Sequence, residues 1–172
     1  RFFISSTFMQ TNQINIKSNF MKSIRMLLIA TSLMTFIACK KERISGSGPV
    51  ITETRPVANF TRIHTSGSTN VFVTQGAGFK VEVNGYVNLI PFFETKLVNN
   101  TLELGYKNNT TVKNDNIKVL VTIPVLNGLS TSGSGNINTS GAFYNNPVFE
   151  THIAGSGNIS FSQGTAQNYI ST

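Results

Sequence analysis

The sequence predicts an all-β fold, part of it a β-solenoid or parallel β-helix-like stack of about 20-residue repeats, with an antiparallel hairpin in the N-terminal part. Three observations predict it. The phrase Ser132-Gly133-Ser134-Gly135-Asn136-Ile137 returns 22 residues later as Ala154-Gly155-Ser156-Gly157-Asn158-Ile159, and Ser66-Gly67-Ser68-Thr69-Asn70-Val71 is an earlier variant. Apolar and polar residues alternate with period two along several runs. After Cys39 no long amphipathic helix can be drawn.

Each repeat carries a strand-like run, a Gly-Ser turn and a β-branched residue: Val71, Ile137 or Ile159. A unit so poor in large apolar residues cannot bury a face alone, so neighbours must stack to share an interior. Gly67, Ser68, Asn70, Gly133, Ser134, Gly135, Asn136, Gly155, Ser156, Gly157 and Asn158 are the predicted corner residues. The competing reading of this Ser/Thr/Gly/Asn-rich segment is a flexible linker, and the β-branched residue at a fixed offset favours the stack. Asn136 and Asn158, with Asn70 as a third member, either bond in a ladder across rungs or each serve their own turn.

Taken in order, Phe79, Val81 and Val83 form one inward-facing set, Leu102, Leu104 and Tyr106 a second, and Ile117, Val119, Val121 and Ile123 a third. Asn99-Asn100 suits a two-residue hairpin, because asparagine tolerates positive φ. It joins Glu94–Val98 to Thr101–Tyr106. Val87-Asn88-Leu89-Ile90, before Pro91, is the one helical candidate. The tail Tyr169-Ile170-Ser171-Thr172 reads like Leu129-Ser130-Thr131, the approach to another turn, so the chain is expected to be a C-terminally truncated piece of a longer stack. Self-association is then expected through open strand edges at Phe149–Ile153 or Ile159–Phe161.

The N-terminal part divides by composition. Residues 1–20 read as a non-native upstream extension, and 21–38 as a lipoprotein signal peptide: a basic start at Met21-Lys22-Ser23-Ile24-Arg25, then the apolar run Met26–Ala38. That run is too short for a bilayer span of about 20 residues and has signal-peptide length. Phe36-Ile37-Ala38-Cys39 resembles a bacterial lipobox, which implies acylation of Cys39 and a membrane partner through it. Residues 39–49 read as a flexible tether and 50–172 as the folded domain.

Fourteen basic residues face seven acidic ones, but four of the basic residues precede Cys39. The remaining charges form no basic stripe or basic-aromatic motif, which excludes nucleic acid as the expected partner. Enzyme chemistry has little stock: His64, His152, one aspartate (Asp115) and dispersed glutamates. His64 and His152 lie two and three residues before their turns and could approach across rungs, yet a metal would need more ligands. Surface histidines are the simpler account. Gly133-x-Gly135 and Gly155-x-Gly157 lack the third glycine and the lysine of phosphate loops. No catalytic residue, cofactor or metal is predicted.

Val50-Ile51-Thr52-Glu53-Thr54-Arg55-Pro56-Val57, Phe60-Thr61-Arg62-Ile63, Val71-Phe72-Val73-Thr74-Gln75-Gly76, Asn88-Leu89-Ile90-Pro91 and the Gly-Ser-Gly-Asn-Ile repeats occur in this order. Together they resemble the head GIN domain, a bacterial family of unknown function that carries an autotransporter-adhesin label. The resemblance covers about 50–172. It implies an all-β, solenoid-like fold on exported or lipid-anchored proteins, and no catalytic residues. Thr69 departs from the pattern by replacing the second turn glycine. The expected function is a non-enzymatic module of the cell envelope, lipid-anchored to the outer membrane, that binds a glycan or protein ligand in adhesion. The alternative is a cell-surface glycan-processing hydrolase, which would need paired carboxylates.

Overall fold

The structure is a computed structural model and describes residues 42–172. The upstream extension, the signal segment and Cys39 lie outside the described residues. Fourteen strands and one short 3₁₀ turn make up the described part: β1 Glu42–Ser45, β2 Val50–Arg55, β3 Arg62–Gly67, β4 Asn70–Gln75, β5 Lys80–Tyr86, β6 Phe93–Val98, β7 Thr101–Tyr106, β8 Thr110–Lys113, β9 Lys118–Ile123, β10 Gly128–Gly133, β11 Ile137–Ser140, β12 Ala142–Gly155, β13 Ile159–Ser160 and β14 Gln163–Ser171. The fold is all-β, as the alternation requires.

Two six-stranded sheets carry most of it, in the orders β14-β12-β10-β3-β7-β6 and β13-β11-β4-β9-β5-β2. β1 and β8 pair in parallel as a separate ribbon. In the first sheet β7, β3, β10, β12 and β14 run parallel, and β6 closes one side antiparallel. In the second, β9, β4, β11 and β13 run parallel, with β5 and β2 antiparallel beyond β9. One apolar cluster contains the inward residues of both sheets.

Its composition follows from the register. Leu102, Ile63, Leu129 and Thr151 are successive partners in the first sheet, as are Leu104, Thr65 and Thr131. Val119, Val71, Ile137 and Ile159 align in the second, next to Val121, Val73 and Thr139. Valine, isoleucine and threonine suit such a pleated, half-buried surface because their χ1 is already restricted. The three expected inward sets are largely buried, with Phe79 and Tyr106 half-buried at their ends. The Asn99-Asn100 hairpin is also present: φ is +46° and +62° there, and β6 pairs with β7 from Phe93–Tyr106 to Val98–Thr101.

Four details differ from the sequence reading. Residues 42–49 are part of the domain and not a free tether. Ile44 packs against the core, the Asn88 Nδ2 amide donates to Ser45 O at 2.8 Å, and Ser47 N donates to Asn88 Oδ1 at 2.9 Å. Gly46 is a close-packing glycine, since a Cβ there would collide with Asn114 O and the Tyr86 ring. The helical turn spans Ile90–Phe92 and so contains Pro91, where the sequence reading placed it before the proline. Proline's fixed φ and missing N–H suit a first helical turn.

The other two concern the tail. Ser171 pairs with Thr151, which pairs with neither Ser130 nor Thr131 but with Leu129. The tail is thus one residue out from the repeat alignment, and a one-residue slip moves side chains to the other face. Ile170 accordingly aligns with Glu150 and is 49% exposed. Finally, Phe149–Ile153 is not an open edge: β14 covers it through Thr151, and Ile153 N donates to Thr172 O at 3.1 Å. The outer strands on that side are β14 and β13.

Candidate functional site

Three corners join the first sheet to the second: Gly67–Asn70, Gly133–Asn136 and Gly155–Asn158. Gly67, Gly133 and Gly155 pair in register, with φ of +81°, +129° and +135°. The carbonyl of Gly67 accepts from Ser134 N (2.8 Å) and Gly135 N (3.0 Å), and Gly133 O accepts from Ser156 N and Gly157 N at the same distances. Backbone packs so closely here that a Cβ on Gly133 would strike Gly67 O, and one on Gly155 would strike Gly133 O. The second glycines obey the same rule: Gly135 abuts Thr69 O and Gly157 abuts Gly135 O. Thr69 has no such corner beneath it, because the neighbouring strands β7 and β9 are joined through the longer β8 excursion. That explains how a threonine replaces the glycine.

The asparagines form the cross-rung ladder. Asn70 Oδ1 accepts from Asn136 N (3.2 Å) and Asn136 Nδ2 (3.1 Å). Asn136 Oδ1 in turn accepts from Asn158 N (3.0 Å) and Asn158 Nδ2 (3.2 Å). Gly67, Asn70, Gly133, Ser134, Gly135, Asn136, Gly155, Ser156, Gly157 and Asn158 make these cross-rung contacts. Ser68 also donates to Asp115 Oδ2 at 3.2 Å, and the other oxygen of Asp115 accepts from Tyr106 OH (2.6 Å) and Ile117 N (3.0 Å). Burial and the adjacent Asp115 carboxylate push the Tyr106 hydroxyl far above the ordinary phenol range, because both disfavour the phenolate.

A second set of polar side chains lies on the outward face of the first sheet. Register places Lys96, Glu103, His64, Ser130 and His152 in one row across five strands. His64 Nδ1 is 2.8 Å from Ser130 Oγ, and its Nε2 is 3.3 Å from Ser132 Oγ. His152 Nδ1 lies 2.7 Å from Thr172 Oγ1. In the next row Arg62 reaches across β10 to Glu150, Nη1 to Oε2 at 2.7 Å. Gly128 leaves room beside that crossing: a Cβ there would stand 3.3 Å from Glu150 O and 3.4 Å from the Arg62 stem.

Two shallow clefts mark this face. One, of about 300 Å³, is lined by His64, Ser66, Glu94, Lys96, Glu103 and Tyr106, among others. The second, of about 250 Å³, is lined by Arg62, Ser130, Glu150 and His152 with neighbouring backbone. Among the described residues no three His, Cys, Asp or Glu side chains are grouped to hold a cation.

Sequence reasoning singled out the corners and missed this row. The signal was available: His64, Ser130 and His152 each stand three residues before the first turn glycine. Counting from unequal turn starts had set the two histidines one position apart. Likewise Glu94 and Glu103, distant in sequence, line one cleft because β6 and β7 form a hairpin.

These features define an all-β protein of stacked parallel strands with a broad polar sheet face. The chain belongs to the family described as "Putative auto-transporter adhesin, head GIN domain", whose model matches residues 59–171. Among solved structures it is similar to a "putative adhesin" from Bacteroides fragilis, with 25% identity and TM-score 0.68, covering 75% of this chain and 61% of that one. It is also similar to a "putative lipid binding protein" from Parabacteroides distasonis, with 25% identity and TM-score 0.65, covering 74% and 55%. A "putative adhesin" from the same organism shares the fold at 18% identity and TM-score 0.63. The chain thus spans 55–61% of the length of these three structures. No curated protein matches it.

Proposed function

We propose that the chain is a non-enzymatic module of the cell envelope that binds a surface ligand, a glycan or a protein, through the outward face of its first sheet. The observation that carries this reading is the row Lys96–Glu103–His64–Ser130–His152. It sets donors and acceptors at the spacing of sheet strands, about 4.8 Å, on an open face suited to an extended polar ligand. Family membership and the adhesin description of the Bacteroides fragilis structure support an adhesive role. The in-register corners support reading the C-terminal half as a β-solenoid. The basic start, apolar run and Ala38-Cys39 support acylation of Cys39 and attachment to the outer membrane.

One observation favours a second reading, a glycan-processing hydrolase: Glu94, Glu103 and His64 line one cleft. A single experiment separates the two. The full acylated chain, in detergent, is applied to a glycan array and to purified envelope proteins, beside a Ser130→Tyr variant whose circular dichroism matches the parent. Binding that the variant loses supports the face, and binding that it keeps places the ligand elsewhere. Cleavage of a bound glycan, abolished by Glu103→Gln, would establish the hydrolase instead.

A further inference from the structure

The β1–β8 ribbon pairs with neither six-stranded sheet. Its parallel register sets Arg43 beside Thr111 and Ser45 beside Lys113. Side chains alternate along a strand, so Ile44 and Val112 turn inward, where both pack against the core. Arg43, Ser45, Thr111 and Lys113 share the other face and, with Ile44, line a cleft of about 450 Å³. No acid lines that cleft; Glu42, the one acid of the ribbon, is exposed and belongs to the alternate set. Among the described residues neither Arg43 nor Lys113 forms an ion pair. Thr111 Oγ1 is shielded from solvent and has no hydrogen-bond partner there. A guanidinium, an ammonium and the exposed Ser45 hydroxyl around one hollow are a donor set for a phosphate, which offers several strong acceptor oxygens.

Chain length indicates where such a phosphate would come from. Glu42 opens β1 three residues after Cys39. An extended chain spans at most about 3.3–3.6 Å per residue, so β1 would begin within about 10 Å of an acylated Cys39. The Debye length at physiological salt is about 8 Å. That reach is an upper limit, and Lys113 stands opposite Ser45, six residues after Cys39, so the two cations enter the potential of an anionic bilayer when the ribbon is seated on its surface. Cations on a strand rim also discourage unwanted strand pairing, but that role needs neither a cleft nor hydroxyls directed to one face. We propose that the β1–β8 cleft docks the phosphate of an anionic lipid headgroup in the membrane that holds Cys39, and so seats the domain on the bilayer in one orientation. This rests on the lipid-anchor reading above.

The test uses the acylated full chain, reconstituted into vesicles of phosphatidylglycerol or of phosphatidylcholine and probed with a membrane-impermeant amine reagent. Labelling of Lys113 should fall several-fold in the anionic vesicles relative to the neutral ones, while Lys80 and Lys96 stay unchanged. High salt, or Arg43→Gln, should restore it. Equal labelling of Lys113 in both vesicle types overturns the proposal and leaves the anchor intact. Protection by inorganic phosphate in detergent, without vesicles, would overturn it in favour of a free-phosphate site. An unacylated Cys39 in the mass spectrum would remove the anchor reading, and the docking with it.

Discussion

At the scale of single residues, the corner glycines are not equivalent, although the sequence writes them alike. Gly67 needs glycine only for its positive φ, since a Cβ there would meet nothing within 4 Å. Gly133 carries both a positive φ and a collision with Gly67 O. Gly67→Ala should therefore cost about 1–2 kcal/mol, the left-handed penalty alone. Gly133→Ala should add about 1–3 kcal/mol of overpacking. Denaturant melts of both variants check the ranking, and equal losses would contradict the stacking argument. Thr69 gives the opposite expectation. Its hydroxyl is buried with no partner among the described residues, and a buried unmatched polar atom is a liability. Thr69→Val should leave stability unchanged or raise it by up to about 1 kcal/mol. Tyr106 contributes a pH dependence whose sign is fixed. Burial, then the Asp115 hydrogen bond, raises its folded-state pKa. Its stabilising share is therefore complete below the unfolded phenol value of about 10 and is lost as pH climbs above it. Tyr106→Phe should be less stable at neutral pH and show a shallower alkaline decline. A decline as steep as the parent's would assign the loss to other groups.

At the scale of elements, the asparagine ladder and strand order show what could be read in advance. The Asn136 side chain is bonded on both sides, to Asn70 and to Asn158, whereas among the described residues the Asn158 side-chain amide bonds back to Asn136 alone. Asn136→Ala should cost more than Asn158→Ala, by about 1 kcal/mol for the additional pair of bonds. Equal thermal shifts would mean that each asparagine serves only its own turn. The ladder was legible as one of two options, because equal offsets after the turn glycines bring the amides into line if the rungs stack. The hairpin at Asn99-Asn100 was legible because a local turn fixes a local pairing. Strand order was not. β3 lies between β7 and β10, so the rung written first in the chain is inserted between two written later. Parallel neighbours need no sequence adjacency, and no local pattern records that insertion. The 22-residue spacing disclosed β10 beside β12, but nothing in Arg62–Gly67 disclosed that Thr101–Leu104 lies against it. The outward row shared that fate. His64 meets Ser130, 66 residues away, only once the order is known.

At the scale of the whole molecule, the interior is graded along the stack, and stability should be graded with it. Leu102, Leu104, Val119, Val121, Val71, Val73 and Ile63 line the β7/β9 and β3/β4 rungs, beside Val81 and Val83 of β5. One rung further, Val73 gives way to Thr139, and Leu104 gives way through Thr65 to Thr131. Beyond that, Leu129 gives way to Thr151, and Ile153 is 41% exposed. Each buried methylene contributes about 0.8 kcal/mol, so the threonine positions contribute less burial energy than the valines and leucines they align with, and Phe143 and Phe149 of β12, packed against Phe161, offset part of that loss. Rungs of a stack interact mainly with their neighbours, so such an array opens from its weaker side rather than all at once. Native-state hydrogen exchange on the full chain should find the slowest amides in β4, β9 and β5, intermediate ones in β10 and β11, and the fastest in β13 and β14. Thr139→Val, aligned with Val73, should slow exchange in β11 and β13 and leave β5 unchanged. It would also remove the hydroxyl that accepts from Ser162 N at 3.0 Å, so the gain should be below about 1 kcal/mol. Uniform protection from β5 to β14 would show that the two sheets unfold as one cooperative unit, and that the gradient of side chains has no counterpart in local stability.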